Sequence, residues 1–165
     1  MRILTVLCQK GGVGKTTFVV NLGKLFSIKG YKTLLIDTDP QGNVSTYLNF
    51  DKNSKEALNT TDLFENKLNK EIMKVSENLY LIPSNKTITK HSSEKIIGGS
   101  RLIKHKNFFK DMGFELILID TPPTVSSLTQ ESLTLSDYYL IPSKPEFLAV
   151  EGVSQAIDFA KETIN

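Results

Sequence analysis

The stretch "CQKGGVGKTTF", residues 8–18, decides the fold of this 165-residue chain. It places a glycine-rich turn between an apolar segment, "RILTVLC" (2–8), and a segment whose apolar residues recur at helical spacing (16–29). A glycine turn between a strand and a helix directs backbone N–H groups inward, at the positive end of the helix dipole. The three segments together predict a phosphate-binding loop that joins a buried strand to a helix.

The composition is that of an ordinary soluble globular chain. Hydrophobic residues make up 39% and charged residues 23%, and the net charge of +2 is too small to indicate a nucleic-acid partner by itself. The single cysteine, Cys8, excludes an intramolecular disulfide and is expected to pack in the core. We find neither a secretory signal nor an apolar run of membrane-spanning length, so we expect one cytoplasmic domain over residues 1–165.

Short apolar runs flanked by turn or polar residues recur along the chain, and they are typical of strands buried on both faces of a parallel sheet. These runs are residues 2–8, 32–39, 79–84, 114–123 and 138–143. The segments between several of them have helical spacing, including one that Ser100 is expected to cap and Gly113 to close. The alternation predicts a doubly wound, mostly parallel α/β sheet with helices on both faces.

Two segments depart from this alternation. Residues 49–78 are rich in Asn, Lys and Glu, and we expect them to form an exposed polar excursion with one or two short helices. The last segment carries an apolar stripe that should be followed by another strand, so the fold is expected to be short at its C-terminus, with an exposed edge strand. The stripe consists of Val153, Ala156, Ile157, Ala160 and Ile164.

The glycine loop departs from the general pattern G-x-x-x-x-G-K-[ST] by one residue. The first glycine of that pattern should lie five residues before Gly14, and Gln9 occupies the position. Lys15 supplies a cation for β- and γ-phosphates, and Thr16 supplies the hydroxyl that such loops use for Mg²⁺. A second lysine, Lys10, precedes the glycines, where the general pattern has no cation. A glycine turn of purely structural meaning is the alternative interpretation.

With this deviation the chain resembles the ParA/MinD family of deviant Walker-A ATPases, and within it the branch that partitions plasmids and chromosomes. The resemblance rests on "KGGVGKTT" (10–17), "LLIDTDPQGNVSTYL" (34–48), "LYLIPSN" (79–85) and residues 114–153, which occur in the order of the family's motifs. It implies the P-loop NTPase fold and a site for ATP and Mg²⁺.

The resemblance also implies a role for each site residue. The nucleotide is bound by the loop residues Lys10, Gly11, Gly12, Val13, Gly14, Lys15, Thr16 and Thr17. Mg²⁺ is held by Thr16, Asp120 and Asp39, and the catalytic residues are Asp39, Lys15 and Lys10. Asp39 orients the attacking water, while Lys10 reaches the nucleotide of a partner protomer, because two triphosphates cannot be stacked without cations between them. The alternative is that Lys10 contacts its own phosphates or solvent.

Independently of the resemblance, Asp39 and Asp120 follow apolar strands, and ligands of open α/β sheets gather at the carboxyl ends of strands. Asp37, two residues before Asp39, either serves the metal shell or forms a turn. Pro122 and Pro123 stiffen the turn after Asp120, where a segment that senses the γ-phosphate would lie.

Several other polar residues are not assigned to the site. Thr121 and the Ser/Thr-rich segment 126–136 are expected either to respond to the nucleotide or to serve as ordinary caps. His91 and His105 lie in polar surroundings, so we interpret both as surface residues. The many lysines of the central region are interpreted as a solvated face.

The function implied by the resemblance is slow ATP hydrolysis by a protein that forms homodimers with ATP. In that state it would bind nonspecific DNA, and a centromere-binding, ParB-like partner would stimulate hydrolysis. The expected location is the cytoplasm, at the nucleoid, without a membrane partner, because the terminal helix lacks a lysine-rich face. Two other classes stay open: a shortened, catalytically silent module that regulates a full-length partner, and a small-molecule kinase or ligase.

Overall fold

A computed structural model of the chain describes residues 1–94, 96, 100–144 and 149–164. Part of the stretch 114–153, residues 145–148, therefore lies outside the described residues. The strands are β1 Arg2–Val6, β2 Thr33–Asp37, β3 Met73–Ser76, β4 Leu79–Ile82, β5 Leu116–Asp120 and β6 Tyr138–Leu140. The α-helices are α1 Lys15–Ile28, α2 Asn43–Leu48, α3 Thr60–Phe64, α4 Lys106–Asp111, α5 Ser127–Leu135 and α6 Ala149–Ile164. Two 3₁₀ turns cover Lys86–His91 and Leu102–His105.

The strands form one six-stranded sheet with the order β3-β4-β2-β5-β1-β6. All neighbouring pairs are parallel except β3 with β4, so the predicted doubly wound, mostly parallel sheet is confirmed. In the register, Asp120 at the end of β5 lies opposite both Val6 of β1 and Asp37 of β2. The loops after these three strands therefore meet at one edge of the sheet.

The central strand β5 shows why the apolar runs become buried strands. Ile117 and Ile119 belong to a core on one face, which includes Phe109 of α4, while Leu118 belongs to the core on the other face, which includes Val20 of α1. Successive side chains of a strand point to opposite faces, so a strand covered by helices on both faces needs an uninterrupted apolar run.

The expectation of an exposed polar excursion with one or two short helices over residues 49–78 is wrong in part, because a short helix is present but the segment also contributes to the core and to the sheet. The segment contains α3 and the strand β3, which pairs antiparallel with β4, and Leu63 and Phe64 are buried in the core. The helix is held by a reciprocal cap in which Asn59 accepts from the N–H of Asp62 and the Asp62 side chain accepts from the N–H of Asn59. The few apolar residues of this polar segment do not recur at helical or strand spacing, so the sequence does not predict that they are buried. Their burial follows only from their tertiary contacts.

Both histidines are buried, and their interpretation as surface residues is wrong. The ring of His91 stacks on Phe64 with centroids 5.4 Å apart, and its Nδ1 lies 2.8 Å from Oε2 of Glu94. Nε2 of His105 lies 2.9 Å from the carbonyl oxygen of Leu63. Both histidines were predicted to be exposed because their neighbours in the sequence are polar. The hydrogen-bond partner of His105, however, belongs to a helix that is distant in the sequence.

The entry to α4 follows its predicted signals. The hydroxyl of Ser100 accepts a hydrogen bond of 3.3 Å from the N–H of Ile103, in the 3₁₀ turn that leads into the helix. At the other end, Gly113 has a φ of 78°, a conformation that favours glycine and stops the helix.

The last two elements differ in part from expectation. Ala156, Phe159 and Ala160 of α6 are buried, whereas Ile164, which was expected on the apolar stripe, is 57% exposed. The strand β6 forms an edge of the sheet, and Tyr138 is 54% exposed on it. The expected exposed edge strand is therefore present.

Gly42, in the loop that ends at α2, provides a test of this packing. Its φ is 64°, and a Cβ at this position would overlap the carbonyl oxygen of Ser84. Gly113 has a similar φ of 78° but open space around it, so it is a matched control. We expect Gly113→Ala to lower the free energy of unfolding by about 1–2 kcal/mol, for backbone strain alone. Gly42→Ala should cost at least about 1 kcal/mol more, because it adds an overlap.

Urea unfolding followed by circular dichroism measures both variants. Equal losses of stability in Gly42→Ala and Gly113→Ala would show that the loop after β2 does not pack against Ser84 as described.

Candidate functional site

The glycine loop between β1 and α1 has the geometry that its spacing predicts. Gly12 and Gly14 have φ values of 72° and 92°, which strain any residue with a side chain. Gly14 is the N-cap of α1, and its carbonyl oxygen accepts the first helical hydrogen bond, 2.9 Å long, from the N–H of Phe18. The loop thus presents its backbone at the N-terminus of α1, with Lys15 largely buried beside it.

This loop borders a cleft of about 310 Å³ that lies over the carboxyl ends of the central strands. All of the predicted nucleotide-binding residues except Lys10 and Val13 line the cleft. Its lining consists of Gly11, Gly12, Gly14, Lys15, Thr16, Thr17, Asp39, Gln41, Asn43, Tyr47 and Pro123. The structure therefore brings most of the predicted residues of one protomer to a single concave site.

The two exceptions, Lys10 and Val13, do not line this cleft. Lys10 is exposed at the entrance of the loop. Val13 lines a neighbouring apolar groove along α1, together with Phe18 and Leu22. Neither position adds to the cleft of the same protomer, and for Lys10 this agrees with a role outside its own site.

The candidate magnesium ligands Thr16 and Asp120 are in contact. The hydroxyl of Thr16 donates a 2.6 Å hydrogen bond to Oδ2 of Asp120, which is fully buried. Oδ1 of Asp120 is buried and has no hydrogen-bond partner among the residues that the structure describes. A buried carboxylate oxygen without a partner, next to a hydroxyl and a phosphate loop, fits a hard cation that takes its other ligands from phosphate and water.

Asp37 and Asp39 have different surroundings although they are two residues apart. Both oxygens of Asp37 accept backbone hydrogen bonds, from the N–H of Asp39 at 2.9 Å and from the N–H of Val44 at 3.1 Å. Asp37 therefore holds the loop that leads into α2, which favours the turn-forming alternative. Asp39 lines the cleft, and its Oδ1 accepts a 2.9 Å hydrogen bond from the N–H of Gln41.

Burial raises the pKa of two carboxyl groups, Asp37 and Asp120. It raises the pKa of Asp37 well above the ordinary value, and the nearby charge of Asp120 raises it further. Burial also raises the pKa of Asp120 to about 6, although the hydrogen bond from Thr16 and the charge of Lys15 oppose this change. Two desolvated carboxyl groups therefore face each other across β2 and β5, and a bound dication would favour their ionised forms.

We expect the Asp120→Asn variant to reveal the cost of burying the charged carboxylate of Asp120 in the protein without nucleotide or Mg²⁺. The pKa of Asp120 is about 6 in the folded chain and about 4 in an unfolded one, so its proton stabilises the fold below about pH 4. That contribution is lost as the pH rises through 6. Between pH 4 and pH 7 the variant should therefore gain roughly 1–3 kcal/mol of unfolding free energy relative to the unaltered chain.

Urea unfolding in the presence of a chelator, at several pH values, measures this difference. Asn can still accept the hydrogen bond from Thr16, so the difference between the variant and the unaltered chain reports the ionisation of Asp120 alone. A difference between the two proteins that does not change with pH would contradict the raised pKa.

The hydroxyls near the site are mostly engaged within the fold. The hydroxyl of Thr121 donates to the carbonyl oxygen of Val6 at 2.9 Å, and that of Ser132 in α5 donates to Leu128 at 2.7 Å. These contacts favour the structural alternative for the Ser/Thr-rich segment. Pro123, by contrast, lines the cleft, so the turn after Asp120 does border the site.

The residues that sequence reasoning missed are Gln41, Asn43 and Tyr47, which line the cleft from the loop after β2 and from α2. Tyr47 is tied to the phosphate loop by a 3.3 Å hydrogen bond that its hydroxyl accepts from Thr17. The sequence did contain a signal for these three residues, because the stretch that carries them follows Asp39 directly and the chain turns at Gly42 to begin α2.

These features define the class of the protein as a nucleotide-binding domain with a phosphate loop. A family model described as an AAA domain, AAA_31, matches residues 1–165. The chain belongs to this family and, as the sequence motifs predicted, to the ParA/MinD ATPases.

Individual relatives agree with this assignment. The chain is 35% identical to the sporulation initiation inhibitor protein Soj of Bacillus subtilis over 161 residues, which cover 95% of this chain and 64% of Soj. It superposes with a TM-score of 0.84 and 30% identity on a Borrelia burgdorferi protein assigned to plasmid partition and bound to AMPPNP, over 98% of this chain and 69% of that one.

A third similar structure is cobyrinic acid a,c-diamide synthase of Mycobacterium smegmatis with ADP and magnesium. Its TM-score is 0.85 and its identity 28%, over 98% of this chain and 67% of that one. The chain spans less than two thirds of the length of the curated relatives it matches. Within the described residues, no helix combines the length and apolar character needed to cross a membrane.

Proposed function

We propose that this chain binds Mg-ATP in the cleft, forms a dimer around two ATP molecules and hydrolyses ATP in plasmid or chromosome partitioning. The contact between Thr16 and Asp120 carries the proposal, because it leaves a buried carboxylate oxygen beside a phosphate loop with no hydrogen-bond partner in the described part of the chain. The similar Borrelia protein, which is assigned to plasmid partition and holds an ATP analogue, supports it.

In this proposal each group of the cleft has one task. The N–H groups of the loop and the ammonium of Lys15 bind the β- and γ-phosphates, while Thr16 and Asp120 hold the metal. Bound Mg²⁺ supplies the positive charge that phosphoryl transfer requires. Asp39, fixed through Oδ1 by the N–H of Gln41, uses its other oxygen to orient the attacking water. This step depends on position more than on basicity.

The assembly depends on Lys10. Its exposed position at the loop entrance suits a side chain that reaches the nucleotide of a partner protomer. Dimerisation would then require ATP, and hydrolysis would return the protein to monomers. Nonspecific DNA binding by the dimer at the nucleoid, and stimulation by a centromere-binding ParB-like protein, complete the proposal by analogy with partition relatives.

A second candidate function is an ATP-dependent ligase of small molecules. The fold similarity to the diamide synthase of Mycobacterium smegmatis favours it, since that protein has the same architecture with ADP and magnesium bound. Such an enzyme would hydrolyse little ATP without an acid and an amine to join.

Phosphate release by the purified chain tests the proposal. We expect slow, Mg²⁺-dependent release from ATP without any organic acceptor, and faster release with duplex DNA and a ParB-like partner. Nucleotide binding without phosphate release would favour the catalytically silent module, and release that requires an acid and an amine would favour the ligase.

A further inference from the structure

A second polar cleft, of about 330 Å³, lies next to the candidate nucleotide cleft. It is formed where the loop after β2 meets the segment that follows α2 and the 3₁₀ turn after β4. Gln41 lines both clefts. The other polar residues of the second cleft are Lys52, Asn53, Asn85, Lys86 and Thr87. We call it the Lys52–Lys86 cleft.

The lining of this cleft is positively charged. Its lining contains two lysines and no carboxylate. Among the described residues, Lys67, Lys70 and Lys106 each lie within 3.1 Å of a carboxylate oxygen, whereas neither Lys52 nor Lys86 has a carboxylate within 4.0 Å. Two unneutralised ammonium groups that border one concavity attract an anion more strongly than isolated surface lysines do.

The uncharged polar groups of the cleft are fixed in place. Oδ1 of Asn85 accepts hydrogen bonds from the N–H of Thr87 at 3.0 Å and from its hydroxyl at 2.6 Å. Nδ2 of Asn85 donates to the carbonyl oxygen of Lys52 at 3.1 Å. The segment that carries Lys52 is thus joined to the turn that carries Lys86, and the two cations are supported by a common framework.

We propose that the Lys52–Lys86 cleft is a binding site for a phosphate group, carried either by a polynucleotide backbone or by a free phosphorylated molecule. Ammonium groups together with amide N–H donors are chemistry that binds phosphate in proteins. The volume of about 330 Å³ accommodates a phosphate with an attached sugar, but not a folded partner.

The cleft is joined to the candidate catalytic carboxylate through one residue. The N–H of Gln41 donates to Oδ1 of Asp39 at 2.9 Å, while its carbonyl oxygen accepts a 2.6 Å hydrogen bond from Nζ of Lys52. A phosphate that draws the ammonium of Lys52 away from this carbonyl alters the support of Asp39. Only this link to hydrolysis rests on the proposed function; phosphate binding itself does not.

The test is an NMR titration of the ¹⁵N-labelled chain without nucleotide or Mg²⁺. The probes are inorganic phosphate and, separately, a short duplex DNA. We expect the backbone amide signals of Asn53, Asn85 and Thr87, which line only this cleft, to shift with either probe. The double variant Lys52→Ala/Lys86→Ala should bind at least about tenfold more weakly, and its log–log salt dependence for DNA should fall by about 2, or 0.9 for each lost phosphate contact.

A matched control removes the same charge elsewhere. Lys29 and Lys110 are exposed at the ends of α1 and α4, near the amino ends of the strands and away from the cleft. We expect the Lys29→Ala/Lys110→Ala variant to keep the shifts and nearly all of the affinity. Circular dichroism verifies that both double variants are folded.

Each outcome decides the proposal. Shifts at far lower phosphate concentration with DNA than with inorganic phosphate identify a polynucleotide, and similar concentrations identify a free phosphorylated molecule. Absence of shifts at Asn53, Asn85 and Thr87 with both probes, or equal losses in the two double variants, would overturn the site. Because no ATP is present, failure of hydrolysis and failure of this site are observed separately.

Discussion

Replacing Asp39 with alanine is expected to lower ATP hydrolysis by about 10²-fold or more while ATP affinity changes little. The carboxylate faces the cleft but does not belong to the loop that binds the phosphates, so its loss removes the group that orients water and leaves the nucleotide contacts. Single-turnover phosphate release and nucleotide titration measure the two quantities. Loss of ATP binding in this variant would count against the catalytic assignment.

Asp39→Asn separates the proposed chemical role from the structural one. Asparagine keeps an oxygen that can accept the hydrogen bond from the N–H of Gln41, so the turn after β2 is preserved. We expect hydrolysis by this variant to be as slow as by Asp39→Ala. Wild-type hydrolysis in Asp39→Asn would show that the residue serves only to form the turn.

Replacing Lys10 with alanine is expected to abolish ATP-dependent dimerisation without preventing each protomer from binding one nucleotide. Each of two symmetric dimer contacts would lose a charge-assisted hydrogen bond, at a cost of about 2–5 kcal/mol per contact. The dimer Kd should therefore rise by at least about 10³-fold. Sedimentation velocity with a nonhydrolysable ATP analogue measures the assembly, and a nucleotide titration measures binding by the monomer.

Two further variants control this experiment. Lys10→Arg retains a cation and should recover part of the dimerisation, although the shape of a guanidinium differs from that of an ammonium. Lys29→Ala removes an exposed lysine at the far end of α1 and should dimerise as the unaltered chain does. A dimer of undiminished stability in Lys10→Ala would rule out the contribution of Lys10 to the partner site.

The phosphate loop and the central strands could be predicted from the sequence because their determinants are local. The left-handed conformations of Gly12 and Gly14 require glycine, and the position of Lys15 follows from them. The strands β2 and β5 are buried on both faces, so their sequences are continuous apolar runs that end in Asp37 and Asp120. Such patterns need no knowledge of the rest of the chain.

The strand β3 and the core contribution of the segment around α3 could not be predicted in this way. Met73 and Val75 are only partly buried in β3, and their polar neighbours give the short strand no strong alternation. Its position depends on the free edge of β4, which is a property of the assembled sheet. The two buried histidines illustrate the same limit, since burial here is decided by distant residues.

The candidate site shows a similar division between local and tertiary information. For Asp37, at the end of β2, the sequence left a metal role and a turn-forming role open, and the hydrogen bonds show that it supports the loop while Asp39, two residues later, lines the cleft. The Lys52–Lys86 cleft joins three separate segments, so the spacing of its lysines carried no signal. Thr16 and Asp120, by contrast, were assigned to one metal site through the family resemblance, from motifs 104 residues apart, and the structure brings them into contact.

The central claim is that ATP controls the assembly of this protein, and sedimentation velocity tests it most directly. The chain is compared in the presence of Mg-AMPPNP and of Mg-ADP, at concentrations that saturate the cleft. We predict that the protein sediments as a dimer with the ATP analogue and as a monomer with ADP. The same sedimentation coefficient with both nucleotides, once binding of each is verified, would contradict the account.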